Sequence, residues 1–257
     1  MNKGYVIMAQ GDDYVKCAEV LQRNIKDLMP NANVTIITTD MLPYGDLDKT
    51  SNWKLINDWQ VYEASPYEYT IKIESDLYLP KSIEYWWDIL VDRDVVISTH
   101  IRTFKQDISN SRAYRRFIDD NNLPDCYNAL TYFKKSDLAK KFYEIVRNVF
   151  ENWDSYKSVL KCNPDEIVTT DWAYAIACHI LGTENTTLPQ FTDMSMVHMK
   201  MLINSLPTED WTNTLVYEIQ KDTLRINSIP QLYPFHYHKK SFADNIMKEL
   251  YGQRNNI

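Results

Sequence analysis

The sequence predicts a single α/β domain over residues 1–257, with an open, mostly parallel sheet flanked by helices and an irregular C-terminal half. Three observations carry this reading. Gly4 to Ala9 (GYVIMA) is an unbroken apolar run, as a strand buried on both faces requires. From about Asp13, apolar Tyr14, Cys17, Ala18, Leu21, Ile25 and Leu28 recur at helical spacing until Pro30 and the Asn31–Asn33 turn. Val34 to Thr38 (VTIIT) is then a second apolar run, so strand, helix and strand form a right-handed unit with parallel strands.

Further elements follow in order. Tyr69 to Ile73 (YTIKI) reads as a third strand and Val95 to Thr99 (VVIST) as a fourth. Ser136 is placed to cap a helix running to about Trp153, which buries Leu138, Phe142, Ile145 and Val149. A second long helix is predicted from Asp165 to Leu181, stopping at Gly182. Short strands are expected at Ser195–Met199, Leu215–Ile219 and Phe235–His238. No repeat or low-complexity linker divides the chain.

Composition narrows the function classes. A net charge of -7 argues against a broad basic surface tracking nucleic acid. Cys17, Cys126, Cys162 and Cys178 are scattered without a C-x-x-C pair, which disfavours a zinc cluster and suits free thiols in a reducing compartment. The N-terminus lacks signal-peptide character, and no apolar stretch is long enough to cross a bilayer. The expectation is a cytoplasmic protein with no membrane anchor. The absence of G-x-G-x-x-G and of a Walker loop sets aside dinucleotide oxidoreductases and P-loop enzymes.

In an open parallel sheet, ligands sit beyond the carboxyl ends of the strands, here just after Ala9 and just after Ile73. Glu74-Ser75-Asp76 stands at the second place. In extended chain, residues two apart face the same way, and two carboxylates suit Mn2+ or Mg2+ with phosphate oxygens completing the shell. The bland alternative is a solvated acidic turn, but the apolar strand before it favours a site. At the first place, Ala9-Gln10-Gly11-Asp12-Asp13-Tyr14 lets a ligand approach the backbone. Asp12 or Asp13 would accept hydrogen bonds from a base or ribose and Tyr14 would stack, unless Asp12 is simply the helix cap. Near the C-terminus, His236 and His238 project to one side of a strand, where either would add a nitrogen ligand to the ion, and Lys239 or Lys240 would meet a diphosphate as a point charge. His198 and Lys200 repeat that pattern more weakly.

With these residues assembled, the chain resembles the GT-A nucleotide-sugar glycosyltransferases, most closely the retaining family 8 that includes glycogenin-like and galactosyltransferase-like enzymes. Ala9 to Tyr14 is similar to the family's uridine-binding opening. Lys54 resembles the basic residue that meets the phosphates, and Ile73-Glu74-Ser75-Asp76 resembles the D-x-D metal motif. Tyr127-Asn128-Ala129 is similar to the segment whose Asn touches a sugar, and Thr170-Asp171-Trp172 to the acidic position near the anomeric carbon. His236-Tyr237 resembles the late metal-binding histidine. The chain departs from the pattern in Glu74 for the first acid, in Leu130 for a Gly, and in lacking Lys-Pro-Trp after the late His.

The resemblance implies metal-dependent transfer of a sugar from a UDP-sugar to a hydroxyl, with retention. Asp171 and Asn128 would act at the sugar. The alternatives are a binding protein of the same fold without turnover and a sugar nucleotidyltransferase. The acceptor is open between a glycan and modified DNA. The second option rests on Arg102, Lys105, Arg112, Arg115 and Arg116, the chain's one local basic cluster.

Overall fold

The computed structural model describes residues 1–49, 54–189, 194–220 and 223–252; Trp53, which precedes Lys54, lies outside them. Strand β1 (Lys3–Met8), helix α1 (Asp12–Leu28) and strand β2 (Val34–Ile37) form the expected first unit. Strands β3 (Tyr69–Glu74), β4 (Leu77–Tyr78), β5 (Val95–Ser98), β6 (Ile101–Arg102) and β7 (Tyr127–Lys134) follow. The central sheet has the order β2-β1-β3-β7-β5. β1 is parallel to β2 and β3, whereas β7 runs antiparallel to both β3 and β5.

The mostly parallel sheet is therefore as predicted, with one reversed strand that the sequence did not announce. β7 reads YNALTYFK, and its Asn128 and Thr131 interrupt the apolar run although seven of its eight residues are buried. Helices cover both faces. α1 sets Ala18, Leu21 and Ile25 against Tyr5, Ile7, Ile71 and Ile73. On the other face lie α2 (Asp137–Glu151) and α3 (Thr170–Leu181), with Phe142, Val146, Val149 and Tyr174 against Val6, Val95 and Phe133. Burying each such large apolar side chain contributes roughly 1.5–3 kcal/mol.

The caps explain the helix ends. Ser136 accepts a hydrogen bond from the Ala139 amide, as its sequence position predicts. α3 begins at Thr170 and not at Asp165, because the Thr169 side chain accepts from the Trp172 amide and fixes the start there. It ends at Gly182, whose φ of 91° favours glycine. α1 is preceded by Gly11 at φ 105°, with no side-chain cap, so Asp12 is its first residue and not its cap.

The C-terminal part adds β8 (Met196–His198), β9 (Tyr217–Gln220), β10 (Thr223–Ile226), β11 (Ile229–Pro230) and β12 (Phe235–His236). A second sheet of order β4-β12-β8-β6 binds this part to the main domain. Its aromatic core of Trp211, Phe235, Tyr237 and Phe242 closes on Cys17 and Val20 of α1. This sheet decides the site, since β4 continues directly from the acidic turn and β12 pairs with it.

Candidate metal centre

β3 ends at Glu74, and Ser75-Asp76 form a turn before β4. The two carboxylates therefore converge through a turn and not through the extended geometry expected from the sequence. The backbone oxygen of Asp76 accepts from the Tyr237 amide at 3.1 Å, which ties the acidic turn to the histidine segment. His236 lies opposite Leu77 across the sheet and beside His198 on β8. Its Nε2 stands 2.9 Å from Asp76 Oδ2 and 3.5 Å from Glu74 Oε2.

His238 follows two residues later with φ 60°, a left-handed conformation that costs a non-glycine residue energy. That turn brings its imidazole to the same point. Ligand atoms of Asp76, His236 and His238 lie within 4.8 Å of one another. Such a spread suits one shared divalent ion with bonds of about 2.1–2.2 Å. His198 stacks on His236 with centroids 4.4 Å apart and planes 8° from parallel. The Nδ1 atoms of His198 and His236 are buried without a hydrogen-bond partner in the protein. A carboxylate converging with two imidazoles is a donor set that fits a divalent ion.

The electrostatics agree. Burial alone would raise the Asp76 carboxyl, but His236 and Lys240 outweigh it and hold the group well below the usual carboxylate range. Burial raises the Glu74 carboxyl against the pull of His236, and the charge on Asp76 adds to the rise. Burial, then His236 and Lys200, lower His238 to about 4. His198 is lowered by the same burial and by His236. His238 is thus a neutral imidazole at physiological pH, the form that ligates.

The His238 shift has a measurable consequence in metal-free protein. Its ordinary value is 6.5, so between pH 6.5 and about 4 the unfolded chain binds a proton that the folded chain does not. The stability this group contributes is complete above pH 6.5 and is lost as pH falls through that window. The lowering corresponds to about 3 kcal/mol, and because the ring is only partly buried solvent screening reduces the expected loss to roughly 2 kcal/mol. His238→Asn, which tolerates positive φ, should flatten that part of the profile in urea titrations at several pH values. An unchanged slope between pH 6.5 and 4 would count against the buried neutral imidazole.

The acidic turn opens into a cleft of about 580 Å³. Tyr14, Lys54, Glu74, Asp76, Asn128, Asp171, His236, His238 and Lys240 all line it, so most of the residues singled out in the sequence are brought together. Lys240 donates to Asp76 Oδ2 at 2.5 Å and lies 4.7 Å from the Tyr14 ring centre. Asp171, in the first turn of α3, has both oxygens engaged. Arg115 reaches Oδ2 at 2.9 Å and the Asn128 amide reaches Oδ1 at 3.0 Å. Lys54 bonds Asp46 at 2.8 Å, and the buried Asn57 links that carboxylate to Gln10 in the cleft wall.

Four expected residues stay outside the cleft lining. Ala9 is 1% exposed and packs in the core beneath the sheet end. Asp12 and Asp13 begin α1 on the solvent side. Lys239 is turned to Asp210, with which it pairs. The basic cluster is largely neutralised. Arg112 pairs with Asp119 and Asp125, Arg115 with Asp125 and Asp171, and Arg116 with Asp120, while Arg102 lies over the Tyr233 ring. Arg112, Arg115 and Arg116 of the expected cluster are thus paired with carboxylates, while Arg102 and Lys105 are not, among the described residues.

Sequence reading also missed residues of the cleft. Lys72 and Asp58 form an ion pair at 2.5 Å in its floor, and the Tyr174 hydroxyl donates to the other Asp58 oxygen at 2.6 Å. A charged residue inside the apolar run YTIKI was the available signal. Arg115 gave none, being one base in a cluster.

No protein-family model and no curated protein matches this chain. Solved structures that resemble it include glycosyltransferases. The galactosyltransferase LgtC, in complex with donor and acceptor sugar analogs, is 11% identical with a TM-score of 0.44, over 67% of this chain and 70% of that one. Mouse xyloside xylosyltransferase 1 is 11% identical with a TM-score of 0.42, over 74% of this chain and 85% of that one. A glycosyltransferase involved in glycosylation of the major capsid of PBCV-1 is 12% identical with a TM-score of 0.38, over 64% and 80%. At these identities no residue's role transfers from them to this chain. Among the described residues, no helix is long and apolar enough to cross a membrane.

Proposed function

We propose that the chain is a metal-dependent glycosyltransferase that moves a sugar from a nucleoside diphosphate, most readily a UDP-sugar, to a hydroxyl acceptor with retention. The observation that carries this reading is the convergence of Asp76, His236 and His238 at the strand ends, with Glu74 beside them and a cleft in front.

Asp76, His236 and His238 would hold Mn2+ or Mg2+, with Glu74 assisting. When bound, such an ion supplies positive charge against the diphosphate as it departs. Lys240, already on Asp76, and Lys54, held by Asp46, add positive charge to the cleft lining. Tyr14 offers a ring face for the base. In the same cleft, Asp171 is kept in place by Arg115 and the Asn128 amide, so its carboxylate can face the positive charge that grows on the sugar. Asn128 also lines the cleft and can bond a sugar hydroxyl. The donor sugar would lie within it.

Calorimetric titration with UDP, with and without Mn2+, tests this reading. Binding strengthened by Mn2+, together with slow hydrolysis of a UDP-sugar, is the expected result. No binding under either condition would sink the proposal. Binding without any hydrolysis or transfer would favour a nucleotide-sugar binding protein of the same fold.

A further inference from the structure

We propose that Lys200 is an anion-binding residue of the cleft, taking a phosphate or carboxylate oxygen of a ligand held between the histidines and Asp171. The inference rests on the donor reading above and narrows what that site accepts.

Lys200 is distinguished by its lack of a counter-ion. Around the cleft Lys54 pairs with Asp46, Lys72 with Asp58, Lys240 with Asp76, and Arg115 with Asp125 and Asp171. Lys200 lines the same cleft and is half-buried, yet among the described residues its ammonium has no ion pair and no hydrogen bond. Its ammonium lies 4.9 Å from the centre of the Tyr114 ring. Its charge helps lower both His198 and His238, so it lies within electrostatic reach of the candidate metal centre.

The backbone that carries Lys200 is fixed. Met199 is fully buried and its amide donates to His236 O at 3.0 Å. The Asn204 side-chain amide donates to His198 O at 2.8 Å and to Lys200 O at 3.1 Å, which clamps the chain on both sides of Met199. An ammonium held partly away from water with an aromatic face beside it retains unmet hydrogen-bonding capacity, which an anionic oxygen satisfies. Two sources present that chemistry at this place: the diphosphate of the donor, and an acidic group on the acceptor.

The test compares wild type with Lys200→Met and Lys200→Arg, all with Mn2+ present, after confirming that melting temperatures are alike. If the donor diphosphate is the partner, Lys200→Met weakens UDP binding roughly tenfold and leaves uridine unchanged, and Lys200→Arg keeps most of the affinity. If an acidic acceptor is the partner, UDP binding is unchanged. The UDP-saturated wild type then binds glucuronate or inorganic phosphate, and Lys200→Met does not. UDP, glucuronate and phosphate binding all within twofold of wild type in Lys200→Met would overturn the inference. Wild type that binds no UDP at all would instead sink the donor reading, and the phosphate and glucuronate titrations would still judge Lys200.

Discussion

Asp76→Asn is expected to lower metal-supported hydrolysis of a UDP-sugar on the order of 10²–10³-fold and to remove the Mn2+ dependence of UDP binding. Asp76 is 3% exposed and stays ionised because His236 and Lys240 outweigh its burial. Its Oδ2 alone meets His236 Nε2 at 2.9 Å and Lys240 Nζ at 2.5 Å. Asparagine preserves size but removes the charge that an ion would meet, and it leaves Lys240 with no carboxylate. Glu74→Gln should cost less, about tenfold, because Glu74 is partly exposed and stands farther from His236, at 3.5 Å. Manganese titration followed by electron paramagnetic resonance separates ion binding from turnover. Manganese affinity in Asp76→Asn within threefold of wild type would show that the ion, if bound, lies elsewhere.

Asp58→Ala is expected to destabilise the protein by about 3–5 kcal/mol, the cost of leaving one member of a buried ion pair alone. Lys72 is fully buried and its ammonium lies 2.5 Å from Asp58. The Tyr174 hydroxyl loses its acceptor in the same substitution. For a chain of this size the melting temperature should fall by roughly 10 °C. Asp58→Ala combined with Lys72→Met should recover most of that loss, because the stranded charge is then gone. Chemical denaturation of the single and double variants measures this directly. A single variant within 1 kcal/mol of wild type, or a double variant no better than the single, would refute the account.

The two variants probe residues that differed greatly in how visible they were. Asp76 stood in a triplet after an apolar strand, a pattern that points to a ligand site by chain order alone. Asp58 sits in a stretch with no periodic pattern, and only folding sets it against Lys72 from the third strand. Helix starts belong to the local side of that division. Ser136 caps where its sequence position suggests, since capping is a contact within four residues. The other long helix starts at Thr170 and not at Asp165, because the Thr169 hydroxyl accepts from the Trp172 amide, a contact of the same short range.

By itself the sequence determined the α/β class, the first strand–helix–strand unit, the long helices and the acidic turn after the third strand. These depend on apolar periodicity and on contacts between near neighbours. Only the tertiary structure decided the reversed β7 strand, the separation of Lys240 from Lys239, and the clamp of Arg115 on Asp171. It also set Arg112, Arg115 and Arg116 of the basic cluster against carboxylates up to 56 residues away. Such pairings bring together side chains that share no local pattern. They are set by which strands lie side by side, and that order is a property of the closed core.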